Sequence, residues 1–231
     1  MPVPGTFAEI TVDRSLKYYT GNFWYEKNIF IPIFLKGKDI FIRFGSVTHR
    51  ARVFINGNEV CSHEGGFLPF SVNITNYIEY DKENCLSILA NNELSESTLP
   101  CGQVMKLSNG RKLAKPYFDF FNYSGIMRNV WLEALPQRRI NDFDLNYKIE
   151  DKSASITYKI FSTKADETRV ELLDKNDKLI TSHNGNKGIL EVKNPILWNL
   201  QNPYLYKLKI ELFSRGQRVD EYVTSVGIRT V

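Results

Sequence analysis

The stretch most suggestive of chemistry is Lys115-Pro116-Tyr117-Phe118-Asp119-Phe120-Phe121-Asn122-Tyr123-Ser124-Gly125, in which five aromatic rings surround one carboxylate and one amide. Aromatic faces stack on the C–H surfaces of sugars. A carboxylate accepts hydrogen bonds from vicinal hydroxyls, and an amide both donates and accepts. A site built this way discriminates sharply, because a missing hydroxyl leaves a buried polar group unpaired. The same residue types would also suit a strand with alternate rings in a core and Asp119 capping a turn. The segment alone does not decide between the two. Arg111, Lys112 and Lys115 come just before it and read as a solvated loop rather than an anion site.

Other chemistries find little support. His49, His63 and His183 are the only histidines, and none stands at metal-ligand spacing from another. Turn contacts or core hydrogen bonds are the expected roles for them, and neither a metal nor a cofactor is expected. There is no Gly-x-Ser-x-Gly elbow, no Gly-x-Gly-x-x-Gly and no phosphate-binding Gly-Lys-Ser/Thr loop. Gly65-Gly66 is followed by Leu68-Pro69, which argues against a helix there and for a tight bend between strands. Cys61, Cys85 and Cys101 are odd in number and lack a Cys-x-x-Cys pair, so they read as thiols of a cytoplasmic protein. Asn73-Ile74-Thr75 and Asn122-Tyr123-Ser124 match the glycosylation triplet, and with no secretion signal in view both read as chance.

The elements that must position these residues are strands. Lys38–Phe44, Arg52–Ile55, Ser155–Ile160 and Leu205–Leu212 alternate with period two. Asn56-Gly57 between two such runs predicts a hairpin with a type I′ turn. Asp174–Asp177 and Asn184–Gly188 read as turns. No amphipathic helix longer than about two turns is predicted, and strands do not alternate with helix-length segments, so the fold class is all-β. The chain has 231 residues, 42% hydrophobic and 24% charged, which allows two modest domains. Pro136 and the basic pair Arg138-Arg139 suggest a boundary, with an immunoglobulin-like sandwich after it. A net charge of +4 is too small to imply a nucleic-acid or membrane partner, and no apolar run is long enough for a transmembrane helix.

Several strings together resemble the glycoside hydrolases of family two, the β-glucuronidase branch in particular. Tyr117-Phe118-Asp119-Phe120-Phe121-Asn122-Tyr123-Ser124-Gly125-Ile126, with Arg128 and Val130, is similar to the end of that family's sugar-binding domain. Pro2–Phe7 and Gly21–Tyr25 resemble its early strands. Val47-Thr48-His49 with Val53–Gly57 resembles its central hairpin, and His63–Phe70 and Ser97–Pro100 resemble later loops. Pro195–Trp198, Pro203–Tyr206 and the exit strand Val226–Val231 resemble the second domain. Phe118 and Lys27 depart from the residues common in relatives.

The resemblance implies a jelly-roll sugar-binding domain over 1–136, its initial strand missing and an edge exposed, and an immunoglobulin-like β-sandwich over 137–231. It implies a non-catalytic amino-terminal portion of a retaining glycosidase whose two catalytic glutamates lie on an absent α/β barrel, so no catalytic residue is expected here. Asp119 would bind substrate, a β-glucuronide-type carbohydrate, and Asn122 and Tyr123 would shape its loop. The barrel and further copies in a homo-oligomer would be its protein partners. A β-galactosidase-like relative and a free-standing carbohydrate-binding module stay open as alternatives.

Overall fold

The alternating runs form strands. In the computed structural model, residues 1–229 are described. Thr230 and Val231, the end of the expected exit strand, lie outside the described residues. Two compact units divide between Leu135 and Pro136.

The first unit contains β1 (Asn22–Ile31), β2 (Asp39–Phe44), β3 (Val47–Thr48), β4 (Arg50–Ile55), β5 (Asn58–Glu64), β6 (Phe70–Asn73), β7 (Lys82–Asn91), β8 (Gly102–Lys106), β9 (Lys112–Pro116), β10 (Gly125–Ile126) and β11 (Val130–Leu135). One sheet runs β1-β7-β4-β5 and another β11-β2-β6, all antiparallel. Successive side chains point to opposite faces, so Ile40, Ile42 and Phe44 of β2 and Ala51, Val53 and Ile55 of β4 share one core. Asn56 and Gly57 both have positive φ, at 50° and 81°, as the β4–β5 hairpin requires. β1 and β11 are edge strands, and both line a groove of about 820 Å³ that includes Phe23, Tyr25, Ile42, Ile88 and Trp131.

Two sequence expectations change. Pro2–Thr6 is not a strand: two prolines lack the N–H a ladder needs, and the segment leads into a short helical turn, α1 (Phe7–Ile10), with α2 (Arg14–Lys17) following. Arg111 lies in an exposed turn as expected, but Lys112 and Lys115 do not lie in a loop. Lys112 and Lys115 belong to β9, which pairs with β8 in a hairpin turned at Asn109-Gly110. Lys112 also forms an ion pair with Glu93. The high charge of β9 masked its alternation.

The second unit contains β12 (Arg139–Glu150), β13 (Ser153–Thr163), β14 (Glu167–Leu173), β15 (Leu179–Asn184), β16 (Lys187–Lys193), β17 (Tyr206–Ser214) and β18 (Gln217–Val226). Sheets β12-β13-β16 and β15-β14-β17-β18 make a seven-stranded immunoglobulin-like sandwich. Ile156, Tyr158, Leu172, Leu190, Leu208 and Ile210 fill its core. Tyr206, at the start of β17, accepts a hydrogen bond on its hydroxyl from the Ile196 backbone N–H at 2.8 Å, tying the preceding corner to the sheet. The expected exit strand leaves the ladder at Val226. Among the described residues no helix is long and apolar enough to cross a membrane.

Candidate functional site

Residues 117–124 connect β9 to β10 and have no regular structure. The strand alternative is therefore set aside. Tyr117, Phe118 and Phe120 are 56%, 54% and 40% exposed, so these rings fill no core. Asp119 is exposed at the tip and makes no hydrogen bond or ion pair among the described residues.

Both roots of the loop are fixed. On the β9 side, the Tyr117 N–H donates to the Cys101 carbonyl at 3.1 Å. On the β10 side, the Ser124 N–H donates to Thr6 Oγ1 at 3.1 Å and the Gly125 N–H to Thr48 Oγ1 at 2.9 Å. Asn122 Nδ2 donates to the Asn92 carbonyl at 2.9 Å, and its Oδ1 lies 2.6 Å from His49 Nε2. Asn92 is buried beneath: its Oδ1 accepts from the Gly21 N–H at 2.8 Å, while its Nδ2 donates to the Tyr19 carbonyl and to Ser124 Oγ at 2.8 and 2.7 Å. Nearly every polar atom here is satisfied without a charge, which removes the penalty of burying it. Tyr123 packs edge-on against Phe121 and Phe120, with ring centroids 5.1 and 6.3 Å away. Phe121 in turn meets Tyr18 at 6.4 Å.

Asn122 and Tyr123 thus stand at the root, one held by hydrogen bonds and one by rings, while Asp119 projects beyond them. A glycan on Asn122 would occupy the same Nδ2 that donates to the Asn92 carbonyl. The sequence did not reveal Asn92, Ser124 or Thr6 as supports. The one signal for them was paired amides, Asn91-Asn92, where β7 leaves the core.

The histidines hold structural contacts. His49 is 2% exposed. Burial lowers its pKa below the usual histidine value, with Arg50 nearby adding to the effect and the Asn122 bond opposing it. His63 stacks on Phe70 with centroids 4.1 Å apart, and His183 Nδ1 lies 2.8 Å from Tyr158 Oη. Among the described residues no group of three or more His, Cys, Asp or Glu could hold a metal ion.

A carboxylate held out on an anchored loop, with exposed rings on either side, can orient a polyhydroxylated ligand by accepting its hydroxyl protons. It cannot by itself perform glycoside hydrolysis, which needs a second carboxylate about 5–9.5 Å away across the scissile bond.

Residues 5–136 match the family model for the sugar-binding domain of glycosyl hydrolases family 2, and residues 128–229 match a second family 2 model. The chain is 38% identical over 238 residues to a β-glucuronidase of Paenibacillus borealis, covering 100% of the chain and 40% of that protein. It is 34% identical over 255 residues to human β-glucuronidase, covering 39% of it. A Ruminococcus gnavus β-glucuronidase solved with uronic deoxynojirimycin superposes with a TM-score of 0.86 at 43% identity, covering 100% of the chain and 40% of that structure. The chain spans about two fifths of the length of the relatives it matches. With a family model covering more than half of its residues, the chain belongs to the glycosyl hydrolases of family 2.

Proposed function

We propose that this chain acts as the non-catalytic, sugar-facing portion of a β-glucuronidase-like retaining glycosidase, and that Asp119 positions the glycone of a β-glucuronide. The observation that carries this reading is the Asp119 carboxylate, unpartnered among the described residues, on a loop whose roots are hydrogen-bonded on both sides. The β-glucuronidases to which the chain is similar, one of them solved with uronic deoxynojirimycin, support the choice of sugar. Bond breaking belongs to a catalytic domain elsewhere in such an enzyme. Homo-oligomeric assembly in the cytoplasm is part of the same proposal. The free thiols Cys61, Cys85 and Cys101 support that compartment, and the resemblance supports assembly.

The test uses a longer protein that carries these 231 residues together with a catalytic domain. Asp119→Ala is expected to lower kcat/KM on an aryl β-glucuronide about 100-fold, or about 2.7 kcal/mol of transition-state stabilisation. Unchanged kinetics would remove Asp119 from the site.

A further inference from the structure

We propose that His49 is a positioning residue for the 117–124 loop: its Nε2–H donates to Asn122 Oδ1 and, through that amide, fixes the segment that presents Asp119. The functional consequence rests on the reading of Asp119 above, whereas the clamp itself does not.

The direction of the bond follows from the neighbours. Asn122 Nδ2 must be the donor to the Asn92 carbonyl, at 2.9 Å, which turns Oδ1 toward the histidine. An amide oxygen only accepts, so His49 Nε2 carries the hydrogen and, in the neutral ring, Nδ1 carries the lone pair. Nδ1 is buried and has no hydrogen-bond partner among the described residues. It faces Gly66, where an added Cβ would sit 2.9 Å from it.

The ring is held firmly. The His49 N–H donates to the Asn91 carbonyl at 2.8 Å, and its carbonyl accepts from the Gly65 N–H at 3.1 Å. Phe67 packs edge-on at a centroid distance of 6.3 Å. His49 follows β3 directly and is tied on both sides to the main sandwich, whereas Asn122 belongs to a segment with no strand of its own. One hydrogen bond therefore links a rigid element to a loop 73 residues further along the chain.

The test is hydrogen exchange on the 231-residue chain. His49→Phe keeps the ring volume and removes the donor, while His49→Gln keeps an N–H that can reach Asn122. His49→Phe is expected to speed exchange of the Tyr123 and Ser124 amides about tenfold, the ~1.4 kcal/mol of one buried hydrogen bond. His49→Gln is expected to stay within about twofold of the parent, and amides of β4 and β7 are expected to change little in either variant. A glutamine no better than phenylalanine, equal acceleration in β4 and β7, or no acceleration at all would each overturn the clamp. If His49→Phe does not fold, Asn122→Ala removes the same bond from the loop side, and unchanged exchange at Ser124 in that variant overturns it equally. The readout needs no sugar. An Asp119→Ala enzyme with unaltered kinetics would refute the sugar-facing role and leave the clamp standing.

Discussion

Asn92 in the first unit and Glu211 in the second are both buried polar side chains, 1% and 5% exposed, and each is the hub of a network. They are satisfied by different physics. Asn92 uses its oxygen and both N–H groups on neutral partners, so its network carries no charge. Glu211 lies between Lys209 at 2.9 Å and Arg218 at 3.0 Å, with Glu171 and Glu221 also drawn to these cations. Burial alone would raise the Glu211 pKa, but hydrogen bonds from Lys209 and Arg218 outweigh it and hold the carboxyl below its usual range. The neutral network braces a loop and the charged one laces the outer face of a sheet. A neutral brace keeps its strength across salt, whereas a charged one responds to it.

This contrast breaks first at Asn92. Asn92→Ala removes three hydrogen bonds and leaves buried partners unpaired, with an expected loss of about 3 kcal/mol in first-unit stability by chemical denaturation. The loss is expected to be the same at 0.05 and 1 M NaCl, to within about 0.5 kcal/mol. Strong salt dependence would mean that the network is not neutral.

Glu211→Gln should cost less, about 1.5 kcal/mol at low salt, because Lys209 and Arg218 still reach solvent. Roughly half of that is expected to disappear in 1 M NaCl. A salt-independent loss would assign Glu211 a packing role only.

The smallest effect is in the pH dependence. Glu211 has a lowered folded-state pKa, so its contribution is present above the usual glutamate value of 4.5 and is lost as pH falls below it. The His49 pKa is also lowered, so the folded first unit binds fewer protons than the unfolded chain. Its stability is expected to decline as pH falls below the usual histidine value of 6.5. Denaturation midpoints followed separately for the two units should therefore begin to drop at different pH values, and His49→Gln should abolish the upper decline. A first unit indifferent to pH between 7 and 5 would show that His49 titrates normally.

Legibility in the sequence followed the range of the interactions. The β4–β5 hairpin was readable because Asn56 and Gly57 supply the left-handed conformations of the turn themselves. The strands of the second unit were readable because Ile156, Tyr158 and Ile160 face its core at every second position. The β8–β9 hairpin was missed because Lys112 and Lys115, three positions apart and so on opposite faces of β9, resembled a solvated run, and short-range charge says nothing about a ladder partner. Asp119 stood out by type, a lone carboxylate among rings, and the same string carried the family resemblance.

The sequence by itself determined the all-β class, the main turns and the family, because alternation, turn chemistry and motif strings are local properties. Only the tertiary structure decided that 117–124 is a loop rather than a strand, and that Asn122 is held by His49 and by the backbone of Asn92. Those contacts join residues 73 and 30 positions apart, and no local preference encodes a partner that folding alone brings within hydrogen-bonding distance.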